Sequence, residues 1–366
     1  VKIAPDVGIN SEFWAGRRVL ITGHTGFKGA WLSLWLQASG AELTGLAPGA
    51  PTRPSLYELA GVGARMSEHA VDVRDPRAVR TAVHSADPEL VLHLAAQPLV
   101  RRSLKDPLTT YEVNVTGTVN VLEAVRQCPG TVRAIVVVTS DKCYANSAGT
   151  QAPDGAPRRF VESDALGGGD PYSSSKACAE LVAGAYRQAF FAGEGSPRLA
   201  TARAGNVIGG GDWGEDRLIP DIVRAVQRGE RLRVRNRTAV RPWQHVLNPL
   251  SGYLLLAERL WASGEAARAW NFGPRANDAK PVEWVVRRLA ALWDGAFSWA
   301  PDESDQPREA RYLALDSSAA ETQLGWRPRW ELEQALESIV EWHRALAGGR
   351  DVRSLCLEQI ERFALA

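Results

Sequence analysis

The stretch RRVLITGHTGFKGAWLSLWL, residues 17–36, constrains the fold of this chain more than any other. An apolar run rich in β-branched residues stops at Gly23. Glycines recur at 26 and 29, and a helix-spaced apolar segment follows at once, with Leu32, Trp35 and Leu36 on one face and Gly40 as its stop. Glycines at a strand-to-helix junction allow a tight turn and let backbone N–H groups approach a pyrophosphate at the positive end of the helix. GxxGxxG by itself is also compatible with a purely structural turn. Its position after the first strand and at the start of a helix favours a dinucleotide site.

The same alternation continues along the chain. ELTGLA (42–47), VDVRD (71–75), LVLHLAA (90–96), RAIVVVTS (133–140) and LATARAGNVIG (199–209) read as strands. PRAVRTAVHSA, residues 109–127 with Asn114 inside, and 173–191 read as helices between them. This pattern predicts an α/β fold, a Rossmann-type doubly wound parallel sheet whose continuous apolar strands are covered on both faces. After residue 205 the rhythm weakens and GGGDWGEDRLIP is Gly-rich and charged. A second, smaller α/β unit is expected there. Residues 12–205, with a return segment at about 240–275 through NFGP, would form the nucleotide domain. Residues 206–239 and 276–366 would form the discontinuous smaller one, with 301–312 as a loop over the cleft.

Composition removes several function classes. Forty-three basic against 42 acidic residues give no polyanion-binding excess. Four dispersed cysteines without a CxxC pair argue against a disulfide framework or zinc site and fit a reducing, cytoplasmic setting. VKIAPDVGINSEFW has no apolar signal core, and no run of about 20 apolar residues would span a membrane.

Two constellations carry chemistry. Tyr172 and Lys176, in YSSSK, lie one helical turn apart on one face. An ammonium beside a phenol lowers its pKa from about 10 and makes it a general base. In VVVTSDKCY, Ser140, Asp141 and Lys142 stand side by side at a strand tip. Asp72, at the expected end of the third strand, is a candidate acceptor for an adenine amino group, with a solvated strand-end acid as the alternative. The ribose acid expected about 20 residues past the glycines is absent from GLAPGAPTRP, so NAD and NADP are not distinguished. Arg53 would suit a 2′-phosphate or simply the surface. His24 reads as a loop residue near the adenosine, His93 as core, and Cys143 as a small hydrophobe.

TGHTGFKG, LAAQ (94–97), Asn114, TSDK (139–142) and YSSSK in this order resemble the extended short-chain dehydrogenase/reductases. More narrowly, GHTGFKGAWLSLWL, AAQPLVRRS, TSDKCY, DPYSSSKACAELV, RAGNVIGGGDW, DRLIPDI, RPWQHVLNPLSGY, WNFGPR and LGWRPRW resemble the CDP-glucose 4,6-dehydratase family. The resemblance implies a bound, recycled NAD held by Gly23, Thr25, Gly26, Phe27, Lys28, Gly29, Asp72, Val73, Leu94, Ala95, Ala96, Gln97, Asn114, Thr139, Tyr172 and Lys176. It implies CDP-glucose as substrate, met by Asn206 and Arg241. Arg217, Leu218, Arg235, His245 and Arg308, with Arg311 beside it, are further candidates, with plain surface arginines and a packed His245 as the alternatives. Arg241 is the favoured diphosphate clamp because guanidinium binds phosphate in bidentate fashion. A homodimer, or alternatively a homotetramer, is implied through the helices carrying Asn114 and Tyr172.

The chemistry implied is oxidation at C4, loss of water across C5 and C6, and hydride return to C6. Tyr172, helped by Ser140, would take the C4 hydroxyl proton; Asp141 would be the acid at C6 and Lys142 the base at C5. Related dTDP-glucose and GDP-mannose dehydratases place Glu at that last step. A lysine base must be neutral when it acts, and an ionised Asp141 beside it would oppose this; the pair can share one proton. An ion-pair role for Lys142 is the alternative. Two other functions stay open at this point. A nucleotide-sugar 4-epimerase would need Tyr172 and Lys176 but no acid/base pair beside Ser140. A catalytically silent NAD-binding regulator would need none of the five.

Overall fold

The computed structural model describes residues 10–128, 130–146, 158–302, 304 and 312–366. Seven strands form one parallel sheet: β1 (Arg18–Thr22), β2 (Glu42–Leu46), β3 (Ser67–His69), β4 (Leu90–His93), β5 (Ala134–Val138), β6 (Arg198–Arg203) and β7 (Ala269–Asn271). Their order is β7-β6-β5-β4-β1-β2-β3. Strand order reverses between β1 and β4, and in open α/β sheets the crevice at the carboxyl ends beside such a reversal is where ligands bind. β5 is buried at all five residues, which is why it reads as a continuous apolar run.

Helix α1 (Phe27–Ala38) is buried from Gly29 to Leu36, on every face. One side meets the sheet; on another, Trp35 packs edge-on against Phe363 at 5.7 Å. Helices α2 (Pro76–Ala86), α3 (Gly117–Gln127) and α4 (Pro171–Ala189) cover the sheet as expected. Asp75 caps α2 by accepting from the Arg77 and Ala78 amides, with Pro76 in the first turn. The other labelled helices are α5 (Leu218–Arg228), α6 (Leu247–Ala262), α7 (Val282–Leu292), α8 (Leu332–Ala347) and α9 (Val352–Leu365).

The structure corrects three expectations. The third strand is 67–69, not 71–75. Asp72 folds its carboxylate back onto the Arg74 amide at 3.0 Å and guanidinium at 2.7 Å, making a turn where a strand was expected. The real edge strand, Ser-Glu-His, has no apolar signal to read. Residues 109–127 are not one regular helix: Pro107–Tyr111 passes into a π-helical turn, Glu112–Thr116, before α3. Such turns often mark functional sites. Residues 352–365, assigned by sequence to the smaller unit, lie on the core of the main sheet with Trp35, Trp330 and Phe272. β7, Ala269–Asn271, pairs in parallel with β6 and takes in only the Asn of NFGP.

A separate hydrophobic cluster joins Ile208, Ile219, Ile222, Val234, Trp243, Val285, Leu289 and Leu336. It sits beyond the carboxyl ends of the strands and is stitched by short strand pairs such as Val207–Ile208 with Gln244–His245. Among the described residues no helix is long and apolar enough to cross a membrane, and all four cysteines are free thiols.

Candidate active site

The glycine loop has the shape a pyrophosphate cradle requires. Gly23 adopts φ +74°, and a Cβ there would lie 2.8 Å from the Ala95 backbone, so the loops after β1 and β4 touch. A Cβ on Gly29 would meet the Gly23 carbonyl at 2.2 Å. Gly26 caps α1 without any side-chain hydrogen bond, which leaves the first amides of the helix to a ligand. Thr25 ties this loop to the next one through the Gly49 carbonyl at 2.7 Å. These residues fit a dinucleotide.

The remaining predicted cofactor residues fall into two groups. Leu94 and Ala95 present amides to the Thr22 hydroxyl at 3.2 and 3.1 Å, and Phe27 borders Gly209. The buried Asn114 side chain accepts from the Gln97 amide at 2.8 Å and donates to the Gln97 carbonyl and the Ser175 hydroxyl. It thereby ties the loop holding Ala96 and Gln97 to α4. Asp72 is half-buried and engaged by Arg74, and the Val73 side chain is core. Arg53 is well exposed, with Glu58 at 3.9 Å. His24 donates from Nε2 to the Glu68 carboxylate at 2.6 Å, and burial lowers its pKa. His93 is core, between the Thr22 and Thr118 hydroxyls.

The five predicted catalytic residues converge. Asp170 caps α4 by accepting from the Ser173 amide at 2.9 Å, and this fixes the helix start that carries Tyr172 and Lys176. The strand tip is continued by Thr139 and Asp141, whose amides reach the Ala202 and Ala204 carbonyls at 2.9 and 3.2 Å. Asp141–Cys143 then form a single 3₁₀ turn, and the Ser140 hydroxyl accepts from the Lys142 amide. The Ser140 hydroxyl also donates to Asp141 at 3.0 Å and lies near enough to the Tyr172 phenol to pull its pKa down. Lys176 is buried, donates to the Val138 carbonyl at 3.3 Å, and is brought down to about 8, chiefly by burial. Lys142 is half-buried.

Two directions bear on the chemistry. Burial raises the Asp141 carboxyl above its ordinary range, against the opposing pull of Lys142, Ser140, Arg241 and Lys28. One Asp141 oxygen is buried without a partner, as a group awaiting a substrate hydroxyl would be. Tyr172 is pushed up to about 12, because burial, with the Asp141 and Asp170 charges, outweighs the opposing pull of Ser140 and Arg217. This reverses the fall expected from Lys176, whose ammonium is aimed at a carbonyl. Lys28, deep in the site and 3.4 Å from the Tyr253 hydroxyl, is lowered to about 7 by burial and by Lys176.

The substrate candidates divide. Arg217 is held by Asp212 at 3.0 Å and lies near enough to feel Tyr172. Leu218 opens α5 directly after it. Arg241 is buried close to Asp141. Asn206 borders the cleft, and its carbonyl accepts from the Gln244 amide. Arg235 is engaged by Asp216 at 2.7 Å. His245 is a correction: its ring is wholly buried, 4.8 Å from Trp330 and 6.1 Å from Trp31, and brought to about 3 by burial. Arg308 and Arg311 lie outside the described residues. Two residues escaped the sequence reading. Asp212 aims Arg217, and Gly205 leaves room for Asp141, since a Cβ there would sit 2.7 Å from its free oxygen. Neither had a local signal, because each matters only through a partner brought close by folding.

Sheet, glycine cradle and Ser-Tyr-Lys group together define an extended short-chain dehydrogenase/reductase. The model of the family described as GDP-mannose 4,6 dehydratase matches residues 20–339, and the chain belongs to that family. It is 49% identical to a CDP-glucose 4,6-dehydratase of Salmonella typhimurium, over 98% of this chain and 99% of that one. It is 28% identical to a dTDP-glucose 4,6-dehydratase of Xanthomonas campestris pv. campestris, over 88% and 92%. Among solved structures, a Thermus thermophilus UDP-glucose 4-epimerase in complex with NAD is similar, with TM-score 0.74 and 25% identity over 89% of this chain and 98% of that one.

Proposed function

We propose that this chain is an NAD-dependent CDP-glucose 4,6-dehydratase, a hydro-lyase. The observation that carries the reading is the strand tip. A buried Asp141 with a raised pKa and an unpartnered oxygen stands beside Lys142 and within one hydroxyl of Tyr172. An epimerase has no use for that acid and base. The 49% identity over nearly the whole of both chains supports the choice of CDP-glucose. NAD held by the loop of Gly23, Gly26 and Gly29 would supply a hydride acceptor for C4 and a hydride donor for C6, and its oxidised ring would be a cation favouring the Tyr172 phenolate.

The residues divide the remaining work. Tyr172 holds the proton taken from the C4 hydroxyl, and Ser140 aligns that hydroxyl. The C4 ketone so formed acidifies the C5 proton. Lys142 removes it while Asp141 gives its proton to the C6 hydroxyl, which leaves as water. A proton returned to C5 completes a 4-keto-6-deoxy sugar with no net redox change. Arg241 and Arg217 hold the diphosphate end.

Incubation with CDP-glucose and NAD⁺ in D₂O tests this. The expected NMR result is a 4-keto-6-deoxy product with deuterium at C5. A C4-inverted hexose would make the protein an epimerase, and no turnover of any nucleotide-hexose would leave a silent binder.

The finer assembly is part of the same reading. The helices Val100–Lys105, Pro107–Tyr111 and α4 expose Leu104, Leu108 and Leu181, the last two at 69% and 62%. Apolar side chains this open on neighbouring helices suit a homodimer interface. Leu108→Glu with Leu181→Glu is expected to halve the mass seen by light scattering; an unchanged mass would place the interface elsewhere. Four free thiols fit a cytoplasmic site of action.

A further inference from the structure

One buried ion pair lies beneath the site and takes no part in the chemistry above. Glu180 follows Lys176 by four residues on α4 and so shares its helix face with Lys176 and Tyr172. Its carboxylate is 2.8 Å from the Arg203 guanidinium at the end of β6, and both side chains are almost wholly buried. RAGNVIGGG is the segment the resemblance assigns to the nucleotide-sugar, yet its arginine points beneath the site.

The pair has two arms. Glu180 accepts from the Thr139 hydroxyl and, at 2.7 Å, from the Thr201 hydroxyl. Arg203 donates its other amino group to the Tyr144 hydroxyl at 2.7 Å and to the Glu162 carbonyl at 3.1 Å. Tyr144 stacks on Phe160 and donates to Asn271 on β7 at 2.7 Å. Thr139 and Tyr144 are the residues on either side of Ser140, Asp141, Lys142 and Cys143. The segment with the elimination groups is therefore pinned at both ends by one ion pair. That ion pair is rooted in the helix that carries Tyr172 and Lys176.

A buried ion pair is weak evidence for stability, since desolvation offsets most of its attraction. Well-packed apolar residues would stabilise this layer as well. They could not aim two hydrogen bonds at the two ends of one four-residue segment. We infer that Glu180 and Arg203 are positioning residues: they set the register of Ser140, Asp141 and Lys142 against Tyr172 and Lys176, and so couple oxidation to loss of water. The inference rests on the dehydratase reading.

Removing either partner of the pair would strand a buried charge, so the test uses its two arms. Thr139→Val and Tyr144→Phe keep shape and remove one hydroxyl each. A misplacement of about 1 Å can cost on the order of 10²-fold in rate. Each single variant is expected to lower kcat about 10-fold and the double variant about 100-fold, with KM for CDP-glucose changed less than about twofold. Reduced cofactor should build up in the steady state as water loss falls behind oxidation. Arg203→Lys keeps the charge opposite Glu180 but lacks the fork for two partners, and should match Tyr144→Phe. A readout independent of turnover accompanies these. Amide hydrogen exchange at residues 140–143 should rise at least tenfold while the interior of α4 is unchanged. Wild-type kcat and exchange in the double variant, or a lowered Tm alone, would overturn the positioning role. Failure of the wild type to dehydrate CDP-glucose would overturn the functional reading instead, and exchange would still decide whether the pair holds the segment.

Discussion

Tyr172→Phe is expected to lower turnover of CDP-glucose by about 10³-fold, within the range of 10² to 10⁴ that a positioned general base contributes. At 1.36 kcal/mol per decade this is about 4 kcal/mol of barrier. The ring is buried and the change removes only its hydroxyl, so the fold should be unaffected. What is lost is the acceptor for the C4 proton, the group that Ser140 lies beside. Burial, with the Asp141 and Asp170 charges, pushes this phenol up to about 12, so the site must favour the phenolate when the cofactor and substrate are in place. Rapid-mixing absorbance of the reduced nicotinamide should show the first hydride step slowed as much as overall turnover. Loss of less than tenfold would move the proton-accepting role to another group.

Lys142→Met should give a different lesion of comparable size. Oxidation at C4 should proceed at close to the wild-type rate, because Ser140, Tyr172 and Lys176 are untouched. Loss of water should fall by about 10²- to 10⁴-fold, so reduced cofactor accumulates and exchange of the C5 proton with D₂O stops. Methionine matches the apolar stem of lysine and suits a half-buried position. The same absorbance trace and an NMR exchange experiment separate the two steps. Dehydration at near wild-type rate would return Lys142 to the role of an ion-pair partner for Asp141 and require another base at C5.

The expected lesions differ although the two residues belong to one site, because they come from different elements. Tyr172 is held by a capped helix, whose cap Asp170 is local in sequence. Lys142 sits on a single 3₁₀ turn that leaves the sheet. Its position depends on contacts with Ala204, Gly167 and the side chains under it.

Much of this was legible in the chain. Apolar runs of four to six residues separated by amphipathic helices dictate a parallel sheet. The glycines at 23, 26 and 29 locate the cradle: a Cβ on Gly23 would strike the loop after β4, and one on Gly29 would strike the Gly23 carbonyl. YSSSK places two side chains on one helix face by the helical period alone. Misreadings came where the signal is not periodic. The β3 edge strand is polar, so VDVRD looked the better strand until the Asx turn at Asp72 was seen. RPWQHV leaves His245 either facing the substrate or packed, and the structure packs it between Trp31 and Trp330.

The sequence by itself determined the sheet and the cradle and marked five candidate reactive groups, because each depends on residue type and on spacings within one or two elements. Only the tertiary structure decided which way Asp141 and Tyr172 are perturbed, since burial is a property of everything packed around a group. It alone made Gly205 and Asp212 matter, each through a neighbour brought close by folding. It turned Arg203 from the expected sugar-nucleotide segment to a buried brace with Glu180, because an arginine's partner is set by the strand end it leaves and the helix face it meets.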